Sequence, residues 1–68
     1  MKMNELELAF DIYTESRIVK AIEAYKNYAD ISISRNPLSY ILTFTNCRYN
    51  VELTIKEFEN YLICLENG

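Results

Sequence analysis

One segment of this chain has a helical period between two segments that alternate, and this change of period constrains the fold most strongly. In residues 14–29 (TESRIVKAIEAYKNYA), apolar side chains recur at three- and four-residue spacing and form one face of an α-helix. On both sides of this segment the apolar period becomes two residues, which is typical of half-buried strands. A helix with one apolar face must cover another element, so we expect it to pack on a sheet formed by its neighbours.

Three further segments predict strands. Residues 3–12 alternate between apolar side chains and mainly carboxylates, so they predict a first strand with one face in water. Residues 30–35 (DISISR) and 40–46 (YILTFTN) alternate as well, and the Asn-Pro pair between them favours a turn. Residues 47–53 fit either a loop or the continuing end of the last strand.

Both predicted helices carry signals at their ends. Thr14 stands where an N-cap is expected, with its hydroxyl accepting hydrogen bonds from the amides of the first turn. The second helix is predicted over residues 54–65, beginning at the capping-box pattern of residues 54–57 (TIKE). The Asn-Gly pair of residues 67–68 would end it as a C-terminal cap.

The order β-α-β-β-α predicts one α+β domain over residues 1–68. A right-handed crossover determines which face of the sheet the first helix covers. The second helix must cover the same face, because each strand has only one apolar side. We expect a two-layer sandwich with a three-stranded antiparallel sheet, its third strand between the first and second. This is like a ferredoxin-like βαββαβ fold that stops before its last strand. The predicted core comprises Leu6, Leu8, Phe10, Ile18, Ile22, Tyr25, Ile31, Ile33, Leu42, Phe44, Phe58, Leu62 and Leu65.

Composition excludes several classes of function. The net charge of −3 argues against nucleic-acid binding, which needs a basic surface. The sequence has no apolar run near the ~18 residues of a membrane span, and its charged N-terminus does not fit a signal peptide. We therefore expect a cytoplasmic protein that binds neither nucleic acid nor membrane.

The sequence lacks the residues that most catalytic and metal sites use. It has no histidine and a single glycine at its end, which argues against histidine-based acid–base catalysis, glycine-rich phosphate loops and histidine-ligated metals. Cys47 and Cys64 are predicted to be reduced thiols, with a redox or intersubunit role as the alternative. Their spacing fits neither a zinc site nor an iron–sulfur cluster. We expect no catalytic, cofactor or metal site.

The surface candidates are tyrosines and an unpaired strand edge. Tyr25, Tyr28 and Tyr61 lie on predicted core faces, where they would have a structural role. The other three tyrosines lie at element ends or in a loop, and tyrosine is enriched at protein interfaces. Without a fourth strand, the outer edge of the first strand would invite a second copy of the chain or an extended peptide. The predicted interface residues are Glu5, Glu7, Ala9, Tyr13, Tyr40, Ile41, Thr43 and Tyr49.

Two motifs resemble those of one protein family. Residues 10–14 (FDIYT) lead from the first strand into the first helix, and residues 57–62 (EFENYL) lie in the terminal helix. With the order of elements, they make the chain similar to the small D protein of the His-Xaa-Ser system. Those proteins are encoded beside paired radical-SAM maturases and a target protein that carries His-Xaa-Ser repeats. The resemblance implies an accessory role in peptide or protein modification, without catalysis or iron–sulfur ligation by this chain.

The sequence therefore favours a non-catalytic accessory or recognition protein that acts through protein–protein contacts. Its partner would be a protein or peptide, and the resemblance implies a radical-SAM maturase or the substrate of that enzyme. The alternative is a homodimeric structural or small-ligand-binding module, with the first-strand edge as the dimer contact. That alternative rests on fold analogy alone.

Overall fold

The computed structural model describes residues 4–67 and contains the five predicted elements in the predicted order. Three strands and two helices follow one another as β-α-β-β-α, and connections of three to five residues join them. The elements are β1 (Glu5–Ala9), α1 (Glu15–Ala24), β2 (Asp30–Arg35), β3 (Ser39–Thr45) and α2 (Val51–Asn67).

The three strands form an antiparallel sheet in the order β1-β3-β2. Leu42 in the central strand lies opposite Leu6 of β1 and Ile33 of β2, and it is fully buried. The strand order and the two-layer arrangement confirm the predicted α+β fold and are consistent with a partial ferredoxin-like arrangement. The bounds of β2 agree with the prediction, and β3 begins one residue earlier than predicted.

The two helices run antiparallel over the same face of the sheet. At one end of the helix pair, the backbone amide and the hydroxyl of Thr14 both donate to Oε1 of Glu66, and Arg17 donates to Oε2 of Glu66 at 2.9 Å. Glu15 at the start of α1 forms an ion pair with Arg35 at the end of β2. These contacts place α1 above the β2 side of the sheet and hold the last turn of α2 against the first turn of α1.

A single apolar cluster lies between the sheet and the helices. The ring of Phe44 on β3 meets the ring of Phe58 on α2 edge-to-face, with 5.3 Å between the ring centroids. Both side chains are almost fully buried, as expected for a pair that joins the two layers. The buried apolar side chains are Leu6, Leu8, Ile18, Ala21, Ala29, Leu42, Phe44, Phe58 and Leu62.

Two predicted core residues, Phe10 and Ile33, are substantially exposed, so those predictions are wrong. The first strand ends at Ala9 because its carbonyl accepts the amides of Ile12 and Tyr13 and closes a turn. Phe10 therefore leaves the sheet and is 40% exposed, and Ile12 is 63% exposed. Ile33 is 38% exposed because β2 is an edge strand with no neighbour on its outer side.

The helix ends also differ from the predictions. Thr14 precedes α1 as expected, but its hydroxyl donates to Glu66 and makes no cap to the first turn of α1. The first helix ends at Ala24, earlier than predicted, and turns follow it. The Met3 end of the predicted first strand and the Gly68 part of the predicted C-terminal cap lie outside the described residues.

The start of α2 also differs from the prediction. The helix begins at Val51, and the amide of Leu53 donates to Oδ1 of Asn50, so Asn50 is the N-cap. Thr54 lies inside the helix, where it is buried and its hydroxyl donates to the Asn50 carbonyl at 2.9 Å. The capping box predicted at residues 54–57 is therefore wrong, and residues 46–50 are a loop.

We expect Phe44→Ala to lower the free energy of unfolding by about 3–5 kcal/mol, because it removes a buried ring that contacts both layers. Phe10→Ala should cost only about 1 kcal/mol, since its exposed ring loses mainly an edge-to-face contact with Tyr40. Urea denaturation of both variants measures the difference. Equal losses would contradict the position of Phe10 outside the core.

The contacts of the Glu66 carboxylate with Thr14 and Arg17, which we call the Glu66 clasp, predict that the free energy of unfolding depends on pH. The hydrogen bond from the Thr14 backbone amide, and then Arg17 and the Thr14 hydroxyl, hold the pKa of Glu66 below its ordinary value of 4.5. Because the folded pKa is the lower one, the carboxylate stabilises the fold above pH 4.5 and this contribution is lost as the pH falls through the folded pKa.

We therefore expect Glu66→Gln to be less stable than the unmodified chain at pH 7, and the difference to close in acid. Urea denaturation of both proteins at pH 7 and at several pH values below 4.5 measures this difference in stability. Glu59→Gln on the same helix is the control for loss of one negative charge. A Glu66→Gln deficit that persists unchanged in acid would contradict the assignment.

Candidate functional site

A concave surface lies at the end of the helical layer opposite Glu66. Here the turn after α1, the loop of residues 46–50 and the start of α2 converge. Asn46 directly follows β3 and lies in the left-handed region with φ 52°, which asparagine tolerates better than most residues, and its side-chain amide donates to the carboxylate of Asp30. The amide of Arg48 then donates to the carbonyl of Tyr28 at 2.9 Å and joins the loop to the turn.

These segments enclose an open cleft of about 390 Å³. We call it the tyrosine cleft, because three of its six lining residues are tyrosines. Its volume is near the lower end of the range of about 300–1,000 Å³ that small-molecule sites usually occupy. The lining residues are Tyr25, Tyr28, Tyr49, Leu53, Thr54 and Glu57.

Tyr25 connects the tyrosine cleft to the core. Its ring lies 5.5 Å from the ring of Phe58, 5.7 Å from Tyr28 and 5.8 Å from Tyr61, measured between centroids. The ring of Tyr28 in turn lies 6.3 Å from that of Tyr49. The exposed tyrosines of the cleft are therefore positioned through a half-buried ring that itself packs on a fully buried one.

The rim of the tyrosine cleft is an exposed aromatic and apolar patch. Tyr49 is 67% exposed, Leu53 is 54% exposed and Tyr28 is 46% exposed. Tyr61 next to them is 37% exposed. Clustered exposed apolar side chains with polar tips are typical of interaction surfaces, where aromatic rings supply contact area at a low cost in conformational entropy.

Within residues 4–67, Glu57 is the one charged side chain that lines the tyrosine cleft. Burial raises the pKa of Tyr25, and the negative charge of Glu57 raises it further, so the two groups lie close enough to interact. Tyr25 is consequently neutral at physiological pH. Among the described residues, the Glu57 carboxylate has no hydrogen-bond or ion-pair partner, in contrast to those of Glu7, Glu15, Glu23 and Glu66.

The lining residues of the tyrosine cleft are suited to binding. Tyrosine, leucine, threonine and one carboxylate offer ring faces, hydrogen-bond groups and a charge, and they form no pairing of a nucleophile with a base. Within residues 4–67, no three acidic or cysteine side chains come together in a way that could hold a metal ion. No helix in the same range is long and apolar enough to cross a membrane.

The predicted tyrosines divide into two groups. Tyr49 lies on the rim of the tyrosine cleft, whereas Tyr13 and Tyr40 are partly buried and pack against the core. The ring of Tyr40 lies between Phe10, at 4.6 Å between centroids, and the guanidinium of Arg35, at 5.8 Å. The sequence does not predict the tyrosine cleft, because its pattern places Tyr25 and Tyr28 on core faces, where a structural role is expected.

The other predicted interface residues lie on the sheet. Ile41 and Thr43 of β3 point to the face that the helices leave uncovered and lie opposite Glu7 and Glu5 of β1, respectively. Ala9 lies on the same face at the end of the strand. These residues form one continuous surface, but they lie on the side of the sheet opposite the helices and the tyrosine cleft.

Glu7 is held in place on this surface. Its carboxylate accepts a hydrogen bond from the Ser39 hydroxyl at 2.6 Å and one from the Asn36 amide at 3.5 Å, and these bonds lower its pKa. The backbone amides of Glu7 and Ala9 point outward, since Phe10 donates to Leu38 and antiparallel strands alternate. The carbonyl of Ala9 is already used in the turn that follows β1.

The edge of β2 is longer than that of β1 and was not predicted as a surface. The amide of Asn36 donates to the Ser39 carbonyl, so the even-numbered residues of β2 bond to β3. The backbone groups of Ile31 and Ile33 therefore point away from the sheet. The alternation in residues 30–35 (DISISR) predicts which side chains point to the core. It does not indicate which edge of the strand lacks a neighbouring strand.

Comparison of the chain with protein-family models, with curated proteins and with solved structures finds no significant match.

Proposed function

We propose that this chain is a non-catalytic recognition protein that binds a protein or peptide partner through the tyrosine cleft and its exposed rim. One observation supports this proposal above the others. Tyr28, Tyr49 and Leu53 are exposed around a cleft whose inner wall, Tyr25, is fixed by contact with the core. A surface of exposed rings on a rigid base needs little reorganisation to bind, which lowers the cost of association.

The class of partner follows from the resemblance to the D proteins of the His-Xaa-Ser system. A protein of that kind acts beside a radical-SAM maturase, as an accessory subunit or as a carrier of the substrate peptide. A cleft lined by tyrosine, leucine, threonine and one glutamate is suited to binding and fits such a division of labour. The enzyme would supply the chemistry, and this chain would supply a binding surface.

We expect a tagged chain, expressed in its native host, to co-purify with a modifying enzyme or with that enzyme's peptide substrate. Replacing Tyr28 and Tyr49 together by alanine should abolish the co-purification, because it removes most of the exposed aromatic area. Leu38→Ala is the matched control, since Leu38 is 79% exposed and lies at the β2–β3 turn, away from the cleft. Mass spectrometry identifies the partner.

Recovery of the chain alone, or with other copies of itself only, would contradict the proposal. So would co-purification of the enzyme at equal yield with the double alanine variant. Circular dichroism and thermal unfolding of the variants establish that each is folded before binding is compared.

A second candidate function is a homodimeric module, and the edge of β2 favours it. Val19 is 51% exposed and follows Glu15 by one helical turn on α1, so it lies on the flank that reaches β2 through the Glu15–Arg35 ion pair. Ile33 is the exposed apolar residue of that strand. An unpaired edge beside two exposed apolar side chains would gain both ladder hydrogen bonds and apolar burial from a second copy.

Sedimentation analysis of the purified chain tests this candidate, with one variant for each sheet edge. Ile33→Lys should convert a dimer formed through β2 to a monomer, because edge lysines oppose strand pairing. Ala9→Pro tests the predicted β1 edge: the Ala9 amide points outward, and the variant keeps the Glu7–Ser39 bond. A monomeric unmodified chain, or a dimer that neither variant disrupts, would contradict dimerisation through the sheet edges.

A further inference from the structure

We infer that the tyrosine cleft is a binding site for an arginine side chain, presented by the protein or peptide partner. This inference deepens the proposed function and rests on it, since it names the group that the tyrosine cleft recognises. It is carried by the size of the cleft, the arrangement of its rings, the lack of a partner for Glu57 and a second Tyr-Arg-Glu grouping in the same fold.

The size and shape of the tyrosine cleft suit one long side chain. At about 390 Å³ and open to solvent, it would admit a side chain from a partner surface. Its walls include the rings of Tyr25 and Tyr28, which meet at 61°, and that of Tyr49, inclined at 42° to Tyr28. Because these rings are not parallel, a side chain that enters between them can lie over one of the ring faces, and a cation in that position is attracted electrostatically.

The charge of the tyrosine cleft selects a cation. Glu57 is its only charged lining residue and has no ion-pair partner within residues 4–67. Tyr25 beside it is neutral at physiological pH. A cation that enters the cleft would therefore meet one carboxylate and several electron-rich ring faces without displacing a resident positive group.

The same fold already holds an arginine in this kind of environment. The guanidinium of Arg35 lies over the ring of Tyr40, with Cζ 5.8 Å from the centroid, and it is paired with the carboxylate of Glu15. The tyrosine cleft has tyrosine rings and a carboxylate, as the grouping of Tyr40 and Glu15 does, but no arginine lies among its lining residues. A partner's arginine would complete it.

The chemistry of the cleft favours arginine over lysine. A planar guanidinium can stack on a ring and form two parallel hydrogen bonds to a carboxylate, and it is more weakly hydrated than an ammonium group. Lysine would gain the charge interaction with Glu57, but it would lose the stacking on Tyr28 or Tyr49 and would cost more to desolvate. We therefore expect arginine to bind more tightly than lysine.

The direct test is a titration of the isotopically labelled full chain with N-acetyl-arginine N-methylamide, followed by amide resonances. We expect saturable shifts at Tyr28, Leu53 and Glu57, with a dissociation constant of roughly millimolar for so small a probe. The citrulline derivative has the same shape without the charge and should bind at least about tenfold more weakly. The lysine derivative should fall between the two.

Variants of the chain locate the contacts. Glu57→Gln should weaken binding of the arginine probe about two- to fivefold, whereas Glu59→Gln removes the same charge from another side of α2 and should leave binding unchanged. Tyr49→Ala should weaken binding, and Tyr49→Phe should retain it, because the ring face is the contact. Equal binding of citrulline and arginine, or equal effects of Glu57→Gln and Glu59→Gln, would overturn the inference.

The inference and the proposed function can fail separately. If the partner co-purifies undiminished with Glu57→Gln but is lost with the Tyr28 and Tyr49 double variant, the arginine site is overturned and the proposed function stands. If the arginine probe binds in the tyrosine cleft but no protein partner is recovered, the site stands and the proposed function is overturned. Absence of saturable shifts with the arginine probe overturns the inference outright.

Discussion

The edge-to-face contact between Phe44 and Phe58 is the interaction on which the rest of this fold depends. It joins the central strand to the second helix, and Phe58 also contacts Tyr25 near the end of the first helix. A domain of 68 residues buries a smaller fraction of its surface than a larger one does, so few contacts bear most of its stability. Here one aromatic pair links the sheet to both helices.

The position of the second helix determines both ends of the helical layer. Because Asn50 caps it one turn before the predicted start, Leu53 and Thr54 lie where they can line the tyrosine cleft. The same helix continues far enough for Glu66 to accept hydrogen bonds from Thr14 and Arg17. At one end of the helical layer, the Glu66 clasp therefore joins the two helices. At the other end, the tyrosine rings of the cleft are exposed.

The sequence was sufficient to predict the element order, the strand order and the bounds of β2, because these depend on periodicity and on the handedness of crossovers. The sequence did not predict where the first strand ends, because the apolar alternation continues beyond the turn. The alternation runs through Phe10 although the chain turns after Ala9, and no glycine or proline marks that turn. The tyrosine cleft could not be predicted, since it forms from three separate segments whose meeting depends on tertiary packing.

The tyrosine cleft also links binding to stability. Tyr25 contacts Phe58 inside the core and forms the inner wall of the cleft, so its ring contributes to both. Tyrosine is ordinarily neutral at physiological pH, and burial raises the pKa of Tyr25 further. Among the described residues that line the cleft, Glu57 therefore supplies the charge that an incoming group meets. Recognition would then be decided by ring faces and one carboxylate at the rim, while the rigid base beneath them is supplied by the same contact that holds the sheet and helices together. Tyr25 therefore contributes both to the packing of the core and to the binding surface.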